Sequence, residues 1–163
     1  ARRRWHGGLG RITEQPMIWP IPHFWIIDLG ESVLAKRAHK NQRHSGVDIH
    51  CNAGTPILAA SAGIVKAVVD GRKSSKAETR AAGLFVEIDD TKDYIFRYLH
   101  LGECDVRVGQ QAPEGLYLGT VADAHTSGLA SRPHLHFEIR HRTTGGGIGA
   151  AVDPLRLLPK RRA

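Results

Sequence analysis

Apolar and polar positions alternate in short runs along most of the chain. The runs are separated by Gly, Pro and Asp, and no long amphipathic segment lies between them. This pattern is typical of strands in an antiparallel sheet. The sequence therefore predicts a mainly β fold, an antiparallel β-sheet or sandwich with long loops. The predicted strands are "GVDIH", "TPILAA", "GIVKAVVD", "LFVEIDD", "DYIFRYLHL", "LYLGTV" and "PHLHFEIR".

Residues 1–43 lack this pattern. The prolines of "WPIP" at 19–22 favour extended backbone, and "ESVLAKRAHK" at 31–40 predicts one short helix. We expect an irregular extension over residues 1–43, packed near the binding groove, and a β domain over residues 44–163, within a single structural domain.

Two later segments also interrupt the strand pattern. "GRKSSKAETRAAG" is charged and has no periodicity, so it predicts an exposed hairpin loop of unusual length, a candidate for function. "HRTTGGGIGAAVDP" predicts a flexible Gly-rich turn.

Composition narrows the class of protein. The chain has 163 residues, 41% hydrophobic and 24% charged, which fits one soluble domain. Two prolines and a histidine break the longest apolar run, "MIWPIPHFWII", so a membrane span is not expected. The net charge of +7 favours an anionic partner. Nucleic acid is not expected to be that partner, because no basic helix or basic stripe with interleaved aromatic residues is present.

The start of the chain and its two cysteines bear on the cellular location of the protein. The chain starts at Ala1, and no apolar stretch follows "RRR", so we expect a mature or trimmed form without a targeting segment. Cys51 and Cys104 allow one disulfide or two small buried thiols.

The segment "RPHLHFEIR" carries the first chemical signal. On a strand, His134, His136 and Glu138 share one face while the apolar residues between them point to the other. Alternation alone is explained by a half-buried strand. Two imidazoles on one face indicate a candidate metal site as well, because histidine is the commonest protein metal ligand.

The segment "RHSGVDIH" supplies further candidate metal ligands. His44 and Asp48 are four residues apart and lie on one side of an extended chain or a helical turn. Catalytic zinc commonly takes two imidazoles and one carboxylate and keeps a position for water. His134 or His136 would complete that set, and the spacing leaves open which one. The other would lie about 7 Å away along the strand, near enough to exchange a proton with the water.

His100, in "YLHL", is by itself a candidate core histidine. Beside a metal site it becomes a candidate for proton transfer or for stabilising the transition state.

In this order, "HSGVD", "AGTPILAASAGIV", "YLHL", "VGQ", "RPHLHFEIR" and "VDP" resemble the LytM-domain or lysostaphin-type zinc endopeptidases, bacterial enzymes that cut peptide cross-links in peptidoglycan. The resemblance covers residues 44 to about 158. It implies a LytM-like catalytic domain with one Zn²⁺ per chain, held by His44, Asp48 and His136. It also implies that His134 and His100 form the catalytic pair.

Three further residues are candidates for roles next to the ligands and the catalytic pair. Glu138 is expected to orient an imidazole, although a surface ion pair is an equal alternative. His50 shares the strand face of Asp48, and we expect a hydrogen-bonded neighbour of the ligands, or a surface histidine, rather than a fourth ligand. Arg132 stands where related sequences commonly have glycine, so it is a candidate to bind a substrate carboxylate, or it is simply solvated. Cys51 directly follows His50, and Cys104 lies four residues beyond His100, so a disulfide that ties these two strand ends is a hypothesis suited to an oxidising compartment.

The resemblance thus predicts a zinc-dependent endopeptidase that hydrolyses a bond in the peptidoglycan stem peptide or cross-bridge. The alternative is a catalytically silent LytM-like module that binds or activates another wall hydrolase. Either would be a monomer in the periplasm or outside the bacterial cell, with peptidoglycan as its partner.

Overall fold

The computed structural model describes residues 17–22, 26–27 and 45–160. The helix predicted at 31–40 and the predicted ligand His44 lie outside the described residues. The described part of "WPIP" contains no helix.

Within the described residues, ten strands form one antiparallel sheet. Every strand that the alternation predicts is present. The strands are β1 (Ile26–Ile27), β2 (Val47–His50), β3 (Pro56–Leu58), β4 (Gly63–Asp70), β5 (Leu84–Asp89), β6 (Tyr94–Cys104), β7 (Gln111–Ala112), β8 (Tyr117–Val121), β9 (His134–Arg142) and β10 (Ile148–Val152).

In the sheet, β9 has neighbouring strands from distant parts of the chain. The main path runs β1-β2-β9-β6-β5-β4-β7, while β10 also pairs with β9, and β8 pairs with both β3 and β6. The order shows that β9 is bonded to β2 on one side and to β6 on the other. Side chains from segments far apart in the chain therefore meet on β9.

The hydrophobic core lies on one face of these central strands. Tyr98 is opposite Phe137, and Phe96 is opposite Ile139, so these four side chains share a face and are fully buried. The ring centroids of Tyr98 and Phe137 are 5.2 Å apart. Because successive residues alternate, the even-numbered positions of β9 are presented on the other face.

The segment predicted as one exposed loop contains a helix, α1 (Ala77–Ala82). This part of the loop prediction was wrong. The sequence "AETRAA" consists largely of good helix formers, but fewer than two turns are too short to show helical periodicity. The remainder of the segment is turns and bends, and most of it is exposed.

The Gly-rich segment also contains more structure than predicted. After a turn at 144–146 it forms β10, whose small residues carry little alternation because much of the strand is glycine and alanine. A second short helix, α2 (Pro154–Leu157), follows Asp153, whose side chain accepts a hydrogen bond from the Leu155 N–H. Strands β1 and β7 span two residues each, too few for a pattern.

The described helices are α1 and α2, and neither is long and apolar enough to cross a membrane.

Cys51 and Cys104 are free thiols, so the hypothesised disulfide is not formed in the structure.

Candidate active site

Strands β2 and β9 bring the polar residues of two distant motifs together. Asp48 is opposite His136, and His50 is opposite His134. Residues opposite each other in antiparallel strands lie on the same face. The four side chains therefore form one patch on the face of the sheet that points away from Phe137.

Asp48 and His136 are in direct contact. The Oδ1 atom of Asp48 lies 2.7 Å from His136 Nδ1 and 3.8 Å from His134 Nε2. Both Asp48 and His136 are buried. A carboxylate oxygen and an imidazole nitrogen are ligand atoms that zinc accepts, so the donor set of this pair fits the metal.

His136 is held at both ring nitrogens. Its Nε2 lies 3.0 Å from Glu138 Oε1, on the side opposite Asp48. Burial lowers the pKa of His136, but the hydrogen bonds with Asp48 and Glu138 outweigh it and raise the pKa to about 9. Without a metal, His136 is therefore an imidazolium that donates to two carboxylates. To hold a metal, His136 would have to give up one of its two ring protons, and its remaining N–H would still donate to a carboxylate.

Glu138 is a fully bonded buried carboxylate. Its Oε1 accepts from Ser45 Oγ at 2.6 Å as well as from His136. Its Oε2 accepts from Arg97 Nη1 at 3.0 Å and from Arg140 Nε at 2.8 Å. Burial raises the pKa of Glu138, but the contacts with His136 and the charge of Arg97 outweigh burial and lower it below its usual range. Glu138 thus stays ionised beside the ligand pair.

Arg97 extends this cluster to the next strand. Its Nε donates to Glu87 Oε1 at 2.9 Å, while its guanidinium also contacts Glu138 and lies over the Phe85 ring. Sequence reasoning missed Arg97 and Glu87. The available signal was a charge within each of two otherwise apolar runs, "YIFRYL" and "LFVEI".

His100 reaches the patch through an unusual backbone angle. Leu99 is opposite His136, so regular alternation would send the next side chain to the other face. The φ angle of His100 is 65°, which breaks the alternation. Its ring centroid lies 4.9 Å from that of His134 and 6.0 Å from that of His136. Burial, followed by the neighbouring histidines, lowers the pKa of His100 to about 3.

His134 has a defined tautomer. Its Nδ1 lies 2.9 Å from the carbonyl oxygen of Arg132, and because a carbonyl only accepts, Nδ1 carries the proton. Burial outweighs the charge of Asp48 and lowers the pKa of His134. The neutral ring therefore presents the lone pair of Nε2 on the side of Asp48.

His50 is packed against His134 with ring centroids 5.4 Å apart. Both its ring nitrogens are buried, and neither has a hydrogen-bond partner in the part of the chain that the structure describes. The hydrogen bond expected of His50 is therefore not present there.

The structure brings most of the predicted site together. Within the described residues, no group of three or more His, Cys, Asp or Glu side chains is arranged to hold a metal ion, and the third predicted ligand, His44, lies outside them. The side chain of Arg132 is exposed, and only its backbone carbonyl is shown in contact with the site. The predicted residues that lie together are Asp48, His50, His100, His134, His136 and Glu138.

Comparison with known proteins identifies the family. Residues 42–154 match Peptidase family M23. The chain is 32% identical over 135 residues to the uncharacterized lipoprotein YgeR of Escherichia coli, covering 83% of this chain and 47% of that protein. It is 36% identical over 95 residues to the peptidoglycan DD-endopeptidase ShyC of Vibrio cholerae, covering 58% and 19%. It is also 32% identical over 111 residues to the murein hydrolase activator NlpD of Salmonella dublin, covering 68% and 27%.

Solved structures show the same fold. A putative peptidase M23 from Pseudomonas aeruginosa aligns with a TM-score of 0.64 at 27% identity, over 90% of this chain and 51% of that one. A zinc-containing peptidase from Vibrio cholerae aligns with a TM-score of 0.68 at 25% identity, over 86% and 39%. The chain spans about half or less of the length of the curated relatives described above. Since the family match covers most of the chain and the patch carries the expected residues, this protein belongs to peptidase family M23.

Proposed function

We propose that this chain is a zinc-dependent endopeptidase that hydrolyses a peptide bond in the peptidoglycan stem peptide or cross-bridge. The observation that carries the proposal is the buried contact of 2.7 Å between Asp48 and His136, with His134 and His100 packed beside it. The endopeptidase ShyC, to which the chain is similar, supports the same substrate class.

His44, Asp48 and His136 would hold the metal. Zinc, when bound, polarises the scissile carbonyl and lowers the pKa of a water molecule. Glu138, which contacts His136 Nε2 at 3.0 Å, would orient the imidazole for this role.

His134 and His100 would handle the proton and the developing charge. The Nε2 lone pair of His134 accepts a proton, since Nδ1–H is committed to the Arg132 carbonyl. His100 is neutral at pH 7 because its pKa is about 3, so it can donate one ring N–H to an oxygen on which negative charge develops. The proton on His134 then passes to the leaving amine.

The remaining expectations follow from this function. A chain that acts on peptidoglycan works in the bacterial envelope, and the lipoprotein YgeR is a relative that fits this location. Ile21 is fully buried in the core and β1 pairs with β2, which supports packing of the N-terminal extension beside the site. The monomeric state remains a prediction.

The test is zinc content by plasma mass spectrometry, together with release of free amines from purified peptidoglycan. We expect about one zinc per chain, with zinc and amine release both lost in His136→Ala. His141→Ala is the matched control, because His141 is an exposed histidine on the same strand. Zinc-loaded wild-type protein that releases no amines would contradict the proposal.

The second candidate function is a silent module that activates another wall hydrolase. The similarity to the murein hydrolase activator NlpD favours it. Retention of both predicted catalytic histidines and of Asp48 and His136 argues against it. Three results together would establish this alternative. The wild-type protein would hold no zinc and release no amines, and it would stimulate amine release or glycan-peptide cleavage by a second hydrolase.

A further inference from the structure

A row of three charged side chains crosses the sheet beside the proposed metal ligands. Glu87 on β5 is opposite Arg97 on β6, and Arg97 is opposite Glu138 on β9. Leu99, two residues after Arg97, is opposite His136. Because opposite residues and residues two apart on a strand share a face, the row lies on the face of the site, two residues along the strands from His136.

Arg97 joins the two carboxylates of this row through different nitrogen atoms. Its Nε donates to Glu87 Oε1 at 2.9 Å, and its Nη1 donates to Glu138 Oε2 at 3.0 Å. A guanidinium is planar and rigid, so a contact that fixes one of these nitrogens also fixes the direction of the other. Glu87 therefore restrains the guanidinium and, through it, the carboxylate of Glu138.

The surroundings of Arg97 restrict it further. Its side chain is 17% exposed, and the side chains of Glu87 and Glu138 are 8% and 3% exposed. Its guanidinium carbon lies 5.4 Å from the centroid of the buried Phe85 ring, within the range of a cation–π contact. Solvent screens such buried pairs less than exposed ones, so their geometry is held more firmly.

Neutralising Glu138 does not require Arg97, because Arg140 Nε already donates to Glu138 Oε2 at 2.8 Å. What Arg97 adds is a second charged donor to the same oxygen, from the neighbouring strand. A carboxylate bound by one side chain can turn about its last bond, whereas two donors in different directions limit that rotation. The other oxygen, Oε1, is thereby kept 3.0 Å from His136 Nε2.

We propose, on the basis of the zinc site in the function proposed above, that Arg97 and Glu87 are positioning residues for His136. Glu87 holds Arg97, Arg97 holds the carboxylate of Glu138, and that carboxylate keeps the imidazole in one orientation. Neither residue touches the metal or the substrate. The geometry of the site thus depends on a carboxylate of β5, a strand that supplies none of the proposed ligands or catalytic histidines.

Two substitutions that conserve charge test this proposal. Arg97→Lys keeps the positive charge but has no rigid fork to reach both carboxylates. Glu87→Asp keeps the negative charge but shortens the side chain by one methylene, which withdraws the carboxylate from Arg97. Because the charge near the metal does not change, a loss of zinc affinity in these variants reports geometry.

Zinc affinity, measured by competition with a chelator, is the first readout. We expect each substitution to weaken zinc binding by roughly three- to tenfold, less than the loss for a direct partner of a ligand. Since Glu87 acts through Arg97, the double variant should be weaker than Arg97→Lys alone by no more than about twofold.

The NMR signal of the His136 Nε2 proton is the second readout. It is recorded in metal-free protein and assigned by its absence from His136→Ala. In Arg97→Lys and Glu87→Asp the signal should shift and the proton should exchange faster with water, because its hydrogen bond to Glu138 is less well aligned. An ion pair that served only stability would lower the unfolding temperature without moving this signal.

Arg142→Lys and Asp89→Glu are the matched controls. Arg142 Nε donates to both carboxylate oxygens of Asp89, at 2.8 and 3.0 Å, and this pair also joins β9 to β5. Its side chains are 26% and 14% exposed, and among the described residues it has no hydrogen bond with Glu138. Both controls should lose stability and keep the zinc affinity and the His136 signal of the wild type.

The outcomes separate this proposal from the proposed function, because neither readout requires catalysis. If Arg97→Lys and Glu87→Asp behave like the controls, the positioning role is overturned, and Glu87→Asp decides alone should Arg97→Lys fail to fold. Wild-type protein that binds zinc but releases no amines would contradict the endopeptidase and leave the positioning role intact. If the wild type binds no zinc, the NMR signal decides: a shift supports the positioning role, and an unchanged signal overturns it.

Discussion

A single backbone angle determines what His100 can do. On a regular strand its ring would point to the core face, among side chains such as Tyr98. The φ angle of 65° instead turns the ring towards His134 and His136. Non-glycine residues with positive φ carry strain and are often found at functional sites. The position of His100 is therefore a structural reason to count it with the site.

Gly128 tests how strongly the β8–β9 loop, residues 122–133, controls His100. Gly128→Ala should destabilise the protein and displace His100, because the new Cβ would lie 2.3 Å from the Ala81 carbonyl oxygen and 2.7 Å from His100 Nδ1. Thermal unfolding and the imidazole signals in NMR spectra would measure the two effects.

Gly109→Ala is the matched control for this change. Gly109 has a φ of +85°, similar to the +71° of Gly128, but nothing lies within 4 Å of its added Cβ. It carries the backbone strain without the collision, so its loss of stability should be smaller and the histidine signals should not move. Equal effects of both substitutions would show that Gly128 matters only for its φ angle.

Tyr98 provides a residue-scale prediction for the core. Its buried hydroxyl oxygen accepts a hydrogen bond from Ala60 N at 2.8 Å. Tyr98→Phe would leave that N–H buried without a partner and should lower the free energy of unfolding by about 1–3 kcal/mol. Urea denaturation measures the loss. Tyr117→Phe, at a residue 39% exposed, should change stability by less than about 0.5 kcal/mol, and a similar loss in both variants would contradict the argument.

At the scale of elements, β9 serves two purposes at once. Leu135, Phe137 and Ile139 are fully buried in the core, while His134, His136 and Glu138 occupy the opposite face. Because both faces belong to one pleated strand, core packing fixes the height and spacing of the site residues. The neighbouring strands then supply Asp48 on one side and Arg97 on the other.

Glu138 links these strands, which leads to a prediction about metal affinity. Glu138→Gln should weaken zinc binding by roughly 10- to 100-fold, because the amide cannot replace an ionised acceptor for His136 and two arginines. Competition with a chelator of known affinity measures this change. Glu103→Gln, at an exposed glutamate of β6, is the control and should leave the affinity unaltered. Unchanged affinity in Glu138→Gln would mean that contacts other than those of Glu138 orient the proposed ligands.

For the whole molecule, the excess of positive charge leads to a prediction about binding to an anionic envelope polymer, the partner proposed above. With a net charge of +7, binding to an anionic envelope polymer should weaken as salt rises, because exposed charges are screened beyond about 8 Å at physiological ionic strength. Co-sedimentation with purified cell wall at increasing sodium chloride would measure this. Sucrose at matched osmolarity is the control, and binding that is insensitive to salt would assign attraction to specific contacts instead.

The sequence by itself determined the local features of this protein. Alternation placed β2–β6, β8 and β9 but missed β10, whose small residues show little alternation. It also placed His134, His136 and Glu138 on one face, because strand side chains repeat every two residues. The motifs also identified the family. Short elements such as α1 and β7 escaped prediction, since a few residues contain too little periodicity to distinguish a helix, a strand and a loop.

Only the tertiary structure decided which distant residues meet. Asp48 and His136 are 88 residues apart and touch because β2 pairs with β9 in one register. Arg97 reaches Glu138 through the pairing of β6 with β9, and the β8–β9 loop reaches His100 through contacts with α1 and β5. Register depends on how all the buried side chains pack together, and a shift by one residue would reverse every face. Such cooperative, long-range packing has no counterpart in a local sequence pattern.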